Sequence, residues 1–204
     1  MRVLHTALAM VVAIGLAACS LTHPAVERAT YDLAPVRGTP PAAPTKPVAL
    51  RVKPFRAAAP YDGREFLYRR ADGQLVVDFY NAFAAGPGEL VTAATADWIR
   101  ASGLFAAVLE PGISADARYA LEGTVLAVYG DVRDAKRPAA VLDVQMYLIR
   151  AAPDARELVL DRRFAERVEV ADATPEALAN GYNEALARIL QRLERDLAAV
   201  DLKG

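Results

Sequence analysis

The chain has few of the residues on which catalysis and metal binding usually depend. It contains one cysteine, Cys19, and two histidines, His5 and His23, so that neither residue type occurs after Val48. This absence excludes Cys–His and Ser–His nucleophile pairs from the rest of the chain, and it removes the usual ligands of zinc and other transition metals. A single cysteine also cannot form an internal disulfide, so the fold must be stabilised by its apolar core. We therefore predict no catalytic residues and no metal site.

The sequence also lacks an excess of charge of one sign. Its 24 basic and 25 acidic side chains give a net charge of −1. This balance is unlike the basic surface of proteins that bind nucleic acid. Neither GxGxxG nor GxxxxGKS/T occurs, and these are the glycine patterns that mark nucleotide sites. We expect neither a nucleic-acid partner nor a cofactor.

An apolar run opens the chain, but it is too short to cross a membrane. It covers residues 7–18, twelve uncharged and mostly apolar residues behind Arg2. A spanning helix needs about 20 such residues, whereas this length behind a basic N-terminus is typical of a signal peptide. The sequence LAAC at residues 16–19 resembles the lipobox of bacterial lipoproteins, in which cleavage precedes the cysteine and its sulfur is acylated. We therefore predict a lipoprotein signal peptide over 1–18 and a lipid anchor on Cys19.

The residues after the cysteine predict a tether followed by one domain. Ser20 resembles the sorting signal that directs Gram-negative lipoproteins to the outer membrane, on its periplasmic face. Residues 20–47 contain six of the thirteen prolines, which favour extended backbone. We predict a lipidated N-terminus and Pro-rich tether over 19–47, which a short docked segment at 30–33 interrupts. A single folded domain is expected over 48–204.

Apolar periodicity predicts the elements of this domain. Strands are expected over residues 48–55, 65–70, 74–80, 105–110, 119–130, 139–150 and 157–170. The tripeptide Ala71-Asp72-Gly73 predicts a hairpin. Helices are expected over 89–102, with Gly103 as the C-terminal cap, and from the N-cap Thr174 onward. The prediction is an α+β fold, an antiparallel β-sheet with two α-helices packed on one face.

The pattern also assigns side chains to the covered face of the sheet and to the final helix. In the sheet these are Tyr119, Leu121, Val125, Ala127, Tyr129, Leu142, Val144, Met146, Leu148, Leu158, Leu160, Phe164, Val168 and Val170. In the final helix an apolar stripe runs through Leu178, Tyr182, Leu186, Ile189, Leu193 and Leu197. We expect this stripe to pack on the sheet rather than to form a groove for a partner.

An aromatic cluster is the candidate interface. Phe79, Tyr80 and Phe83 lie together in the sequence DFYNAF, shortly before the first helix. Such residues either fill the core or form a partner or lipid interface, where aromatic side chains are enriched. Because successive strand residues point to opposite faces, Phe79 and Tyr80 cannot both enter the same core.

Acidic residues near aromatic side chains are the only candidates for hydrolytic chemistry. They are Asp62, Glu65, Asp72, Asp78 and Glu89. A pair of carboxylates suffices for glycoside hydrolysis, so the composition leaves this chemistry open. Each acid lies beside a turn or at a strand edge, where we expect a solvated surface charge.

The order of these elements is similar to that of a known family. Residues 60–131 carry a tyrosine before the first hairpin, Tyr61, a tryptophan in the helix, Trp98, and the sequences SGLF at 102–105 and YALEG at 119–123. This arrangement resembles the ABC-type transport auxiliary lipoprotein family, the PqiC-like group. The resemblance implies a non-enzymatic outer-membrane lipoprotein. Its implied partners are an inner-membrane ABC permease and ATPase and an MCE-domain protein, in a system that moves lipids between the membranes.

Our first functional hypothesis is therefore a tethering or docking lipoprotein of such a system, whose docking surface includes Phe79 to Phe83. One alternative is an assembly or chaperone lipoprotein for an outer-membrane protein complex. Another is a carboxylate-dependent envelope hydrolase. The sequence leaves a homo-oligomer open.

Overall fold

The structure is a computed structural model that describes residues 28–38, 46–151 and 155–202. Within these ranges it contains nine strands and two helices. The strands are β1 (Ala29–Tyr31), β2 (Lys46–Val52), β3 (Arg56–Ala57), β4 (Glu65–Arg69), β5 (Leu75–Phe83), β6 (Phe105–Leu109), β7 (Tyr119–Asp131), β8 (Ala139–Ala151) and β9 (Arg156–Glu169). The helices are α1 (Pro87–Ser102) and α2 (Pro175–Ala199). Cys19 and the predicted signal peptide lie outside the described residues.

The strands form one sheet around β7, the long central strand. One edge of β7 pairs with the full length of β8, which in turn pairs with β9, and both ladders are antiparallel hairpins. The other edge pairs in succession with the short strands β2, β3 and β4. Beyond β4 come β5 and then β1, and β6 lies beyond β2.

The α+β class is confirmed, and the sheet is mixed rather than wholly antiparallel. The hairpins predicted between neighbouring strands are all antiparallel. The pairings of β2, β3 and β4 with β7, of β1 with β5 and of β2 with β6 are parallel. A short turn can join only antiparallel neighbours, whereas strands that are distant in sequence can pair in either direction. Apolar alternation therefore predicts the strands but not the direction of these longer-range pairings.

Both helices lie against the sheet and enclose the core. The whole apolar stripe of α2 is at most 1% exposed, and this helix contacts β8 and β9. The prediction that the stripe packs on the sheet is confirmed. Thr174 caps α2 by accepting a hydrogen bond from the backbone of Ala177, and Gly103 ends α1 in the left-handed conformation. Among the described residues, neither helix is long and apolar enough to cross a bilayer.

Two bulges correct the predicted faces of β7 and β9. Leu160 pairs with Leu148, but a register shift makes Leu158 the partner of Ile149, so Leu158 lies on the opposite face and is 56% exposed. A second shift, after Val125, pairs Val128 with Leu142 and so moves Ala127 and Tyr129 to the opposite face. A bulge adds one residue and inverts the alternation beyond it. Strict alternation therefore assigned these residues to the wrong face, although Tyr129 is still buried, at 7% exposed.

Close contact between α2 and the sheet explains a glycine inside the helix. A Cβ at Gly181 would lie 2.7 Å from the Cβ of Ala140 and 2.7 Å from Cγ1 of Val170. Glycine lowers helix propensity by about 1 kcal/mol relative to alanine. Its presence here lets α2 approach β8 closely.

Candidate functional site

The β4–β5 hairpin contains an irregularity that presents aromatic side chains to solvent. Pairing is regular from Arg69 and Leu75 to Leu67 and Val77. The next pair joins Glu65 to Ala82, so residues 78–81 of β5 lie opposite the single residue Phe66 of β4. The extra residues project from the ladder as a bulge. We call residues 78–81 the aromatic bulge.

Asp78 holds the aromatic bulge in one conformation. Its Oδ1 accepts hydrogen bonds from the backbone N–H groups of Tyr80 (2.8 Å) and Asn81 (3.1 Å). Its Oδ2 accepts from Nδ2 of Asn81 (2.9 Å) and from the hydroxyl of Tyr68 (2.9 Å). Partial burial by itself raises the pKa of the Asp78 carboxyl, but these hydrogen bonds outweigh it and hold that pKa below its ordinary value. The carboxylate therefore organises the aromatic bulge.

The aromatic bulge exposes two of the three predicted interface residues and leaves the third in the core. Phe79 is 76% exposed and Tyr80 is 54% exposed. Phe83 follows the bulge, where regular pairing resumes, and it is 1% exposed with its ring 4.6 Å from that of Phe66. Phe83 therefore belongs to the core, and the prediction that it contributes to an interface is wrong. The extra residues of the bulge carry Phe79 and Tyr80 out of that core.

The exposed apolar side chains concentrate at this place. The described residues include six large hydrophobic side chains that are exposed, namely Val36, Val77, Phe79, Tyr80, Ile113 and Leu158. Three of the six fall within residues 77–80. Single exposed hydrophobic residues are normal on a protein surface, whereas a cluster marks an interaction site.

Residues 28–38 lie against the domain beside the aromatic bulge, and we call them the docked segment. Its strand β1 runs parallel to β5, with Ala29 opposite Asn81 and Tyr31 opposite Phe83. The Tyr31 hydroxyl donates a 2.8 Å hydrogen bond to Oε1 of Glu176 in the first turn of α2. Burial, together with this carboxylate, raises the pKa of Tyr31 to about 12. The contact expected at residues 30–33 is thus present.

A buried carboxylate fixes the other end of the docked segment. Glu194 of α2 is 4% exposed. Its Oε1 accepts a 2.8 Å hydrogen bond from Nη2 of Arg37, and its Oε2 accepts one of 2.8 Å from Nε1 of Trp98. Leu33, between the two ends, is 4% exposed. The segment is therefore attached through a strand, an apolar side chain and an ion pair.

The sequence signal for this ion pair is weak. Glu194 directly follows Leu193, a member of the apolar stripe of α2, so an acid stands at the margin of a buried helix face. Arg37 lies 157 residues away in a proline-rich stretch, and nothing in its local pattern indicates a partner. The sequence indicates Trp98, the third member, as a helix residue that supports the family resemblance, but it does not indicate Glu194 as its partner.

Three of the candidate acids serve local structure. Asp72 accepts a hydrogen bond from the backbone of Gln74 in the hairpin turn, and Glu65 forms an ion pair with Arg28. Asp78 organises the aromatic bulge. Across residues 28–38, 46–151 and 155–202, no group of three or more His, Cys, Asp or Glu side chains is arranged to hold a metal ion.

A groove separates the docked segment from α1. Its volume is 340 Å³, and its lining combines apolar residues such as Leu33 and Trp98 with the acids Asp32 and Asp97. This volume is near the lower end of the range for small-molecule sites, about 300 to 1,000 Å³. We therefore assign no lipid to it.

Comparison with known proteins places this α+β domain in a class of transport components. The chain belongs to the family described as the ABC-type transport auxiliary lipoprotein component, whose model matches residues 31–194. The match begins within β1, so it includes most of the docked segment. A search of curated proteins found no match.

Solved structures share the fold. Protein XCC0632 of Xanthomonas campestris, a DUF330 protein, is 25% identical, with a TM-score of 0.68 over 78% of this chain and 90% of its own. Protein CT253 of Chlamydia trachomatis is 7% identical, with a TM-score of 0.54 over 76% of this chain and 99% of its own. The second likeness shows the fold alone.

Proposed function

We propose that the protein is an outer-membrane lipoprotein that acts as a non-enzymatic docking component of an ABC transporter–MCE system for lipid transport between membranes. The observation that carries this proposal is family membership over residues 31–194. The family description supplies the link to ABC transport and the lipoprotein character. The MCE-domain partner, the lipid cargo and the outer membrane are our extension of it.

The anchor follows from the chemistry of the N-terminus. Removal of residues 1–18 would leave Cys19 as the first residue, with a sulfur available for acylation. Each buried CH₂ group contributes about 0.8 kcal/mol, so one acyl chain binds a bilayer only marginally while two or three hold it stably. Ser20 supports sorting to the outer membrane. A module anchored in this way faces the periplasm, where partners from the inner membrane can reach it.

The hydrogen bonds and the ion pair made by three of the candidate acids support a non-enzymatic role. Asp72, Asp78 and Glu65 stabilise a turn, a bulge and a surface ion pair respectively. General acid–base catalysis requires carboxyl groups that are free to exchange protons with a substrate. The bonds that these three side chains make favour a structural role for each of them.

Crosslinking in intact envelopes tests the proposed partnership. The full-length protein is crosslinked in its own cells, purified, and its captured neighbours are identified by mass spectrometry. We expect the MCE-domain protein and the permease of one ABC system, with capture reduced in the Cys19→Ser variant because that chain is no longer held at the membrane. Capture of a β-barrel assembly protein instead would contradict the proposal and favour the chaperone alternative.

A further inference from the structure

We propose that the aromatic bulge contacts the surface of the bilayer to which the protein is anchored, with the Phe79 and Tyr80 side chains at the level of the lipid headgroups. This inference rests on the acyl anchor of the proposed function. It adds an orientation: the edge of the sheet formed by β1 and β5 faces the membrane.

The first step is the place where the anchored end of the chain meets the domain. Strand β1 is parallel to β5, and Ala29 lies opposite Asn81. Adjacent strands lie about 4.8 Å apart, and Arg28 and Tyr80 directly precede this pair in the two strands. The chain therefore enters the domain at the end of β1 that lies beside the aromatic bulge.

The second step is the reach of the tether. Arg28 lies nine residues after Cys19. Since an extended chain spans at most about 3.6 Å per residue, the acylated sulfur lies within about 32 Å of Arg28. A domain of this size has a radius of gyration of about 15 Å and is about 40 Å across. The anchor therefore cannot reach the far side of the domain, so the bilayer lies on the side of β1.

The docked segment is what makes the tether short. If the domain began at Lys46, the free chain from Cys19 could span about 100 Å and would leave the orientation open. Pairing of β1 with β5, burial of Leu33 and the ion pair of Arg37 with Glu194 keep residues 28–38 on the domain. These contacts turn a long spacer into a short one.

The third step is the chemistry of the exposed side chains. Aromatic residues concentrate at membrane interfaces, where an apolar ring enters the acyl boundary and a hydroxyl remains among the headgroups. Phe79 and Tyr80 provide these two features, and Val77 adds apolar surface. The nearby charges have partners: Asp78 accepts four hydrogen bonds, and Arg28 pairs with Glu65 at 2.8 Å. Contact of Phe79 and Tyr80 with lipid therefore does not bring these two charges to the bilayer unpaired.

Fluorescence quenching by brominated lipids tests the contact. The full-length acylated protein carrying Phe79→Trp is reconstituted in vesicles of phosphatidylethanolamine and phosphatidylglycerol, with phosphatidylcholine brominated on its acyl chains. The emission of the new tryptophan is the emission of the variant minus that of the wild type. We expect it to be at least twofold lower in brominated vesicles than in vesicles without bromine, and to lie at shorter wavelength in the vesicles than in solution. The wild-type chain supplies the baseline, because its single tryptophan, Trp98, is 3% exposed.

Leu158→Trp is the matched control. Leu158 is 56% exposed, and Ile149 links it across β8 to Ala120, near the start of β7. The β4–β5 hairpin instead joins β7 at Gly130. Gly130 lies ten residues after Ala120, a rise of about 33 Å along the strand, and the aromatic bulge, opposite Phe66, lies about two residues nearer to Ala120. A tryptophan at position 158 is therefore expected to show no more quenching than the wild type.

Each result separates the inference from the proposal on which it rests. If the acylation-competent protein does not float with vesicles, the anchor is absent, and both the proposed function and the orientation fail. If it floats but neither Phe79→Trp nor a second variant, Tyr80→Trp, is quenched more than Leu158→Trp, the orientation alone is overturned. If the emission of Phe79→Trp shifts to shorter wavelength only after a purified partner protein is added, the aromatic bulge belongs to a protein interface. This result would also overturn the orientation.

Discussion

Arg37→Ala should destabilise the domain strongly, because it leaves a buried carboxylate without its counter-ion. The Arg37 and Glu194 side chains are 12% and 6% exposed, and their closest atoms are 2.8 Å apart. Removal of one partner from a buried pair costs about 3 to 5 kcal/mol. The Trp98 indole N–H still donates to Glu194 in the variant, so we expect about 3 kcal/mol. For a domain of this size that loss lowers Tm by about 6 to 12 °C.

Urea unfolding followed by tryptophan fluorescence measures this loss directly, since Trp98 is the only tryptophan and contacts Glu194. Arg100→Ala is the matched control. Arg100 pairs with Asp97 and Glu110, but its side chain is 43% exposed, so its loss should cost at most about 1 kcal/mol. The reasoning is refuted if Arg37→Ala costs no more than this control.

A double variant isolates the role of the buried charge. Glu194→Gln removes that charge while it keeps an acceptor for the Trp98 indole. Combined with Arg37→Ala, it should restore more than half of the lost stability, because no unpaired ion then remains buried. Equal losses in the single and double variants would show that packing of the arginine, rather than its charge, holds the docked segment.

Two further predictions concern packing and pH. Gly181→Ala should lower the free energy of unfolding, although alanine has the better helix propensity, because the new Cβ at position 181 would lie 2.7 Å from the Cβ of Ala140. Urea unfolding measures this change. A stabilised variant would contradict the close contact between helix and sheet. Asp131 is 2% exposed, and hydrogen bonds from Arg133 hold its pKa well below the usual range. A carboxyl with a lowered folded pKa contributes stability above its unfolded pKa, about 4, and loses it as pH falls toward the folded value. The free energy of unfolding should therefore fall more steeply below pH 4 in the wild type than in Asp131→Asn, and parallel pH profiles would be the contrary result.

Features that depend on local pattern were predictable from the sequence. The apolar stripe from Leu178 to Leu197, the cap at Thr174 and the hairpin at residues 71–73 all follow from spacing over a few residues. Local periodicity suffices where neighbouring residues decide the conformation.

Features that depend on distant residues were not predictable. Alternation does not specify that β2, β3 and β4 pair in parallel with β7. It also does not reveal the four-residue bulge that removes Phe79 and Tyr80 from the ladder and returns Phe83 to the core. The partner of Glu194 lies at the opposite end of the chain. Each of these features depends on a pairing between residues that are far apart in the sequence. Local alternation does not specify which of the distant residues pair.

Fractionation of the Cys19→Ser variant tests the central claim, that a lipid anchor holds this domain at a membrane so that it can bridge to its partners. The wild-type protein should float with the outer membrane, and its mature N-terminal peptide should carry acyl chains on the sulfur by mass spectrometry. The variant should keep the circular dichroism and unfolding transition of the wild type but appear in the soluble periplasmic fraction. An undiminished membrane fraction in the variant, or an unmodified Cys19 in the wild type, would contradict the account.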